Sequence, residues 1–116
     1  MKQLVDLFLE NVSSKKHFQF NIRCDKCGLI ISSPPVHFSK ADITPENQSK
    51  EIIYNALYTQ EMEQARQKAV RQLAHQFNRC PLCQKLVCNH CFLICEDLDI
   101  CSECAASLQE KGVPVL

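Results

Sequence analysis

The sequence predicts a small metal-bound α+β domain: a cross-brace two-zinc finger with short hairpins and a long inserted α-helix. Three observations lead there. Nine cysteines stand in 116 residues, eight of them in four Cys-x-x-Cys pairs. A strand-like alternation, Phe18, Phe20 and Ile22, leads into the first pair. And from Pro45 to about Asn78 the chain has neither glycine nor a further proline, and is rich in Ala, Gln, Glu, Lys, Arg and Leu.

The pairs are Cys24/Cys27, Cys80/Cys83, Cys88/Cys91 and Cys101/Cys104, with Cys95 left over. A secreted disulfide framework shows an even count, mixed spacings and a signal peptide. Here the count is odd and the spacing uniform, and Met1 to Val12 is broken by Asp6 and Glu10, a poor leader. The two-residue gap suits a metal knuckle, whose turn brings both thiolates to one ion at about 2.3 Å. One such pair also fits a thioredoxin-like redox site; four pairs in one small chain point to two four-cysteine zinc sites. Spacing alone does not separate zinc from iron. Only four residues, Gln84 to Val87, separate the second pair from the third. So short an arm makes it awkward for those two pairs to grip one ion from opposite sides. Alternation gives Cys24, Cys27, Cys88 and Cys91 as site one, and Cys80, Cys83, Cys101 and Cys104 as site two. Sequential pairing, first with second and third with fourth, is the alternative.

The run Cys80-Pro81-Leu82-Cys83-Gln84-Lys85-Leu86-Val87-Cys88-Asn89-His90-Cys91 resembles the middle of a FYVE/RING-type, treble-clef-like cross-brace zinc finger. The end, Leu98 to Cys104 followed by Ala105 to Lys111, resembles the FYVE ending of strand, last knuckle and short closing helix. Two departures stand out. Residues 28–79 separate the first pair from the second, far more than FYVE fingers have, and Gln76-Phe77-Asn78-Arg79 lacks the basic cluster that reads phosphatidylinositol 3-phosphate. The resemblance therefore implies the fold and not the lipid, since fold does not carry function.

In chain order, residues 1–12 carry a helix-like stripe of Met1, Leu4, Val5, Phe8 and Val12, with a strand over Leu7 to Leu9 as the alternative. Ser13 to Lys16 reads as a turn and His17 to Arg23 as a strand delivering Cys24. Gly28 supplies a positive φ that lets backbone N–H groups face sulfur, and Leu29 to Ile31 returns as a strand. Residues 32–43 read as irregular. Thr44-Pro45-Glu46 reads as a helix start, with Thr44 as N-cap and Pro45 as first helical residue. A helix of about 30 residues spans about 45–50 Å, with a stripe of Ile53, Leu57, Met62, Ala65, Ala69, Leu73 and Phe77 and a possible break near Tyr58-Thr59. The stripe packs on the N-terminal segment or forms a seam for a second helix. Residues 1–116 thus form a single domain, with finger halves at 17–32 and 78–112 and the inserted helix at 45–78.

The 13 basic and 13 acidic residues balance. Eight thiolates on two Zn²⁺ would leave a holo-protein charge of about −4. Residues 64–85 carry Arg66, Lys68, Arg71, Arg79 and Lys85 with no acid, and residues 86–110 carry Glu96, Asp97, Asp99, Glu103 and Glu110 with no base. A pI near 6.9 argues against nucleic acid. No apolar run approaches the roughly 18 residues that cross a bilayer. Cys95 follows Phe92-Leu93-Ile94 and reads as a small packed hydrophobe. His90 lies inside a knuckle but all four positions of each site are taken, and His17, His37 and His75 are scattered. No phosphate loop and no His-Glu-x-x-His is present, and four thiolates close the shell of a structural ion. The expectation is a non-catalytic, cytoplasmic, zinc-stabilised protein-interaction module, with a protein partner or homodimer through the long helix and no membrane. The alternatives are a nucleic-acid or transcription/translation-associated zinc finger, and a RING-like ubiquitin-ligase recruiter or thiol redox protein.

Overall fold

The computed structural model describes residues 2–116, and its shape follows from one long element. Helix α1 (Lys2–Phe8) opens the chain and buries Val5. Strand β1 (Glu10–Asn11) leads to β2 (His17–Phe18) and β3 (Phe20–Arg23), and β4 (Ile30–Ser32) returns antiparallel to β3. Phe18, Phe20 and Ile22 are all buried, as the alternation requires. Residues 32–43 are not wholly irregular: β5 (Val36–His37) pairs antiparallel with β2.

The long helix α2 runs over Gln48–Leu73 without a break at Tyr58-Thr59. Its N-cap is Asn47, not Thr44; the Asn47 side chain accepts a hydrogen bond from the Lys50 N–H at 2.9 Å. Both residues are good caps, and asparagine is the better one. The C-terminal end is also earlier than expected. A 3-10 turn at Ala74–Gln76 follows, and Phe77–Arg79 is strand β6, paired with β7 (Leu86–Cys88). Phe77 is therefore buried as a strand residue facing Cys88, not as the last step of a helical stripe.

A second 3-10 turn (Asn89–Cys91) leads into β8 (Phe92–Cys95), which pairs with β9 (Ile100–Cys101). Helix α3 (Ser102–Leu108) closes the finger, and β10 (Gly112–Pro114) adds a third strand on β8. Gly112 lies opposite Cys95, and a Cβ there would sit 2.7 Å from the Cys95 sulfur, so only glycine fits this register.

Two cores result. Phe18, Phe20 and Phe38 enclose Ala65 and Ala69 of α2, with Tyr54, Leu57, Tyr58 and Met62 at the edge. Val5, Ile22, Val70, Leu73, Phe77, Leu86, Val87 and Ile100 form the other core, together with cysteines of all four pairs. The small residues in the middle of the helical stripe are thus covered by the chain's own phenylalanines. The N-terminal part of α2 extends past this cover: Ile52 is 64% and Ile53 53% exposed. A 26-residue helix is about 39 Å long, and the molecule is a rod of 65 × 18 × 16 Å. Among the described residues no helix is long and apolar enough to cross a membrane.

Candidate metal centre

The four pairs are carried by matching turns. In the first, the Cys24 N–H donates to the Leu29 carbonyl at 2.8 Å, and the Gly28 N–H to the Cys24 carbonyl at 3.0 Å. In the second, the Cys80 N–H donates to the Lys85 carbonyl and the Gln84 N–H to the Cys80 carbonyl, both at 2.9 Å. Each turn needs a left-handed residue one place after its second cysteine. Gly28 takes φ 76° and Gln84 takes φ 66°. The third pair sits on the end of β7 and the 3-10 turn after it, and the fourth straddles the start of α3.

These elements converge into two groups. The sulfurs of Cys24, Cys27, Cys88 and Cys91 lie within 4.8 Å of one another, and so do those of Cys80, Cys83, Cys101 and Cys104. First thus meets third and second meets fourth. Cys27 and Cys88 sulfurs are 3.8 Å apart, Cys80 and Cys104 3.8 Å, and Cys83 and Cys101 3.7 Å. Disulfide sulfurs would stand about 2.0 Å apart. Thiolates placed tetrahedrally about 2.3 Å from one ion stand about 3.8 Å apart, the spacing found here. Two four-cysteine groups that could each hold a metal ion are therefore present.

The surroundings suit thiolates. The Cys24 sulfur accepts N–H groups of Lys26 at 3.4 Å, Cys27 at 3.5 Å and Cys88 at 3.2 Å. The Cys80 sulfur accepts the Cys101 N–H at 3.4 Å, and the Cys101 sulfur accepts that of Cys104 at 3.4 Å, capping α3. Burial pushes the Cys24 thiol up, but the N–H groups of Cys27, Cys88 and Lys26 outweigh it and bring it down to about 7. Cys80 behaves likewise: burial raises it, and the N–H groups of Cys83, Cys101 and Leu82 bring it down to about 6. Burial and neighbouring sulfurs push Cys91 up and Cys104 up to about 12. Each group thus pairs a sulfur whose thiolate is favoured, Cys24 or Cys80, with sulfurs whose thiol is favoured, Cys88 and Cys91 or Cys101 and Cys104, so a cation that takes all four displaces protons.

Asp25, which the sequence did not single out, ties the groups together. Its N–H donates to the Leu86 carbonyl at 2.9 Å, and its carboxylate accepts the Leu86 N–H at 3.1 Å. The first knuckle is thereby docked on β7, the strand that leaves the second knuckle and delivers Cys88. An acid directly after the first cysteine of a pair was the available signal.

Cys95 belongs to neither group; it is half-buried against Gly112, with its N–H donated to Asp99 at 3.1 Å. His90 is exposed and outside both groups. His17 and His37 are not scattered: they face each other across β2 and β5. The 64–85 basic run is partly engaged within the chain. Arg66 pairs with Asp6 at 2.9 Å and stacks on Phe20, and Lys85 pairs with Glu103 at 3.4 Å. No family model, curated protein or solved structure matches this chain.

Proposed function

We propose that this chain is a zinc-stabilised protein-interaction module: a non-catalytic cross-brace finger whose two four-cysteine zinc sites are structural, and whose projecting helix receives a protein partner. One observation carries the reading. Each sulfur group supplies four ligands at the edge length of a zinc–thiolate tetrahedron and so leaves no coordination position for substrate. The interaction role is supported by Ile52 and Ile53, exposed on the part of α2 that the aromatic core leaves uncovered. The engagement of Arg66 and Lys85 in ion pairs weakens the case for nucleic acid. A cytoplasmic location is supported by the number of free thiols, which stay reduced there.

Elemental analysis of protein expressed with zinc should give two zinc per chain; one zinc, or an iron-charged native form, overturns the metal assignment. Affinity capture from the native host should recover a protein that is lost with Ile52→Glu/Ile53→Glu. Sedimentation of the purified chain distinguishes that partner from a second copy.

A further inference from the structure

His17 and His37, twenty positions apart, are direct cross-strand neighbours in the β2–β5 ribbon. The Phe38 N–H donates to the Lys16 carbonyl at 2.8 Å, just outside the pair. This makes His17 and His37 a non-hydrogen-bonded pair, the kind whose side chains stand closest. Successive strand residues point to opposite faces. Phe18 and Phe38, one residue on in each strand, are accordingly buried on the other face, in edge contact at 5.7 Å. They pin the ribbon to α2 while both imidazoles face outward and are exposed. Among the described residues neither ring takes part in a hydrogen bond or an ion pair; the nearest ion pair joins the adjacent Lys16 to Asp42 at 3.5 Å.

The ring centroids are 5.2 Å apart with planes at 67°. A zinc–imidazole bond is about 2.0–2.1 Å, which puts each ring centre about 3.2 Å from the ion. Two such centres at a tetrahedral angle are then about 5.2 Å apart. The observed centroid separation is the one that two rings sharing an ion would have.

We propose that His17 and His37 form a third metal site, on the surface, for a divalent first-row transition ion of the zinc type. Imidazole nitrogen is the donor such ions favour. Two protein ligands leave the other positions to water, so this ion exchanges, unlike ions enclosed by four thiolates. No cysteine of either sulfur group takes part.

The test uses the full chain after exhaustive dialysis, with its tightly held metal measured first so that the cysteine sites are scored separately. Zinc is then titrated while calorimetry and the histidine ring NMR signals are followed. A further equivalent should bind, shifting the His17 and His37 ring signals and leaving His75 and His90 in place. His17→Gln and His37→Gln should each weaken that equivalent at least tenfold, with tightly held metal and backbone spectrum unchanged; His75→Gln should leave it intact. Absence of a further equivalent, or one that survives His17→Gln/His37→Gln, overturns the proposal.

Discussion

The two knuckles that open the sulfur groups share one backbone design and differ in how it is held. Both close with the same pair of hydrogen bonds across the turn, and both put a left-handed residue after the second cysteine. The first uses Gly28, for which that conformation is free, and has Asp25 to dock the turn on β7. The second uses Gln84, whose Cβ makes the conformation costly, and which staples its own turn through Nε2 to the Pro81 carbonyl at 2.9 Å. The first knuckle thus makes its extra side-chain bond to a neighbouring strand, and the second makes its own within the turn. The difference matches their places in the chain. The first must find partners across the inserted helix; the second leads directly into the strand that carries its neighbour pair.

The comparison breaks most sharply through the cysteines. Cys24→Ala/Cys88→Ala strikes one group twice and should lose one zinc by elemental analysis. Cys24→Ala/Cys80→Ala strikes both and should lose two. Sequential pairing would reverse these results. The next effect lies between the knuckles, at Ala69, which is 2% exposed under Phe18, Phe20 and Phe38. Ala69→Glu buries an unpaired charge and should cost about 3 kcal/mol or more in denaturant unfolding. Both knuckles are built without Ala69, so zinc content should stay at two. Asp25→Ala removes the acceptor of the Leu86 N–H and should cost about 1–2 kcal/mol. Its mark should be faster zinc loss to chelator from the first group than from the second. Gly28→Gln should cost about 1 kcal/mol from backbone strain alone, because a Cβ there meets nothing within 4 Å. The reverse change, Gln84→Gly, should be the smallest. Relief of strain is offset by the lost Pro81 bond and a freer unfolded chain, leaving about 0.5 kcal/mol or less. A large loss with Gln84→Gly would show that the side-chain staple outweighs the strain.

How far the sequence foretold this molecule depended on how local each signal was. The cysteine spacing, the alternation of Phe18, Phe20 and Ile22, and the positive φ of Gly28 are short-range facts, and the structure has them. The four-residue arm from Gln84 to Val87 favoured the grouping that the structure has, because it limits where the chain can turn, but it left sequential pairing open. The ends of the long helix were misjudged because competing partners decide them. Thr44 and Asn47 are both plausible caps. Phe77 leaves the helical pattern only because Phe77, Asn78 and Arg79 find ladder partners in Cys88, Val87 and Leu86. Long-range pairing likewise hid β5, β10 and the His17–His37 contact. No periodicity within either segment announces that residue 17 will face residue 37, or residue 112 residue 95.

The inserted helix also sets an order of events during folding. The first sulfur group must close a loop over 64 positions, from Cys24 to Cys88, while the second closes over 21, from Cys80 to Cys101. Loop-closure entropy grows with the logarithm of length, so a threefold longer loop adds about 1 kcal/mol to the barrier of the first group. We expect the second group to assemble first, as a small local nucleus late in the sequence. The N-terminal knuckle then waits until α2 has formed and brought it back. Pulsed thiol labelling during zinc-induced refolding should protect Cys83 before Cys27, and simultaneous protection would mean that the two groups fold as one unit.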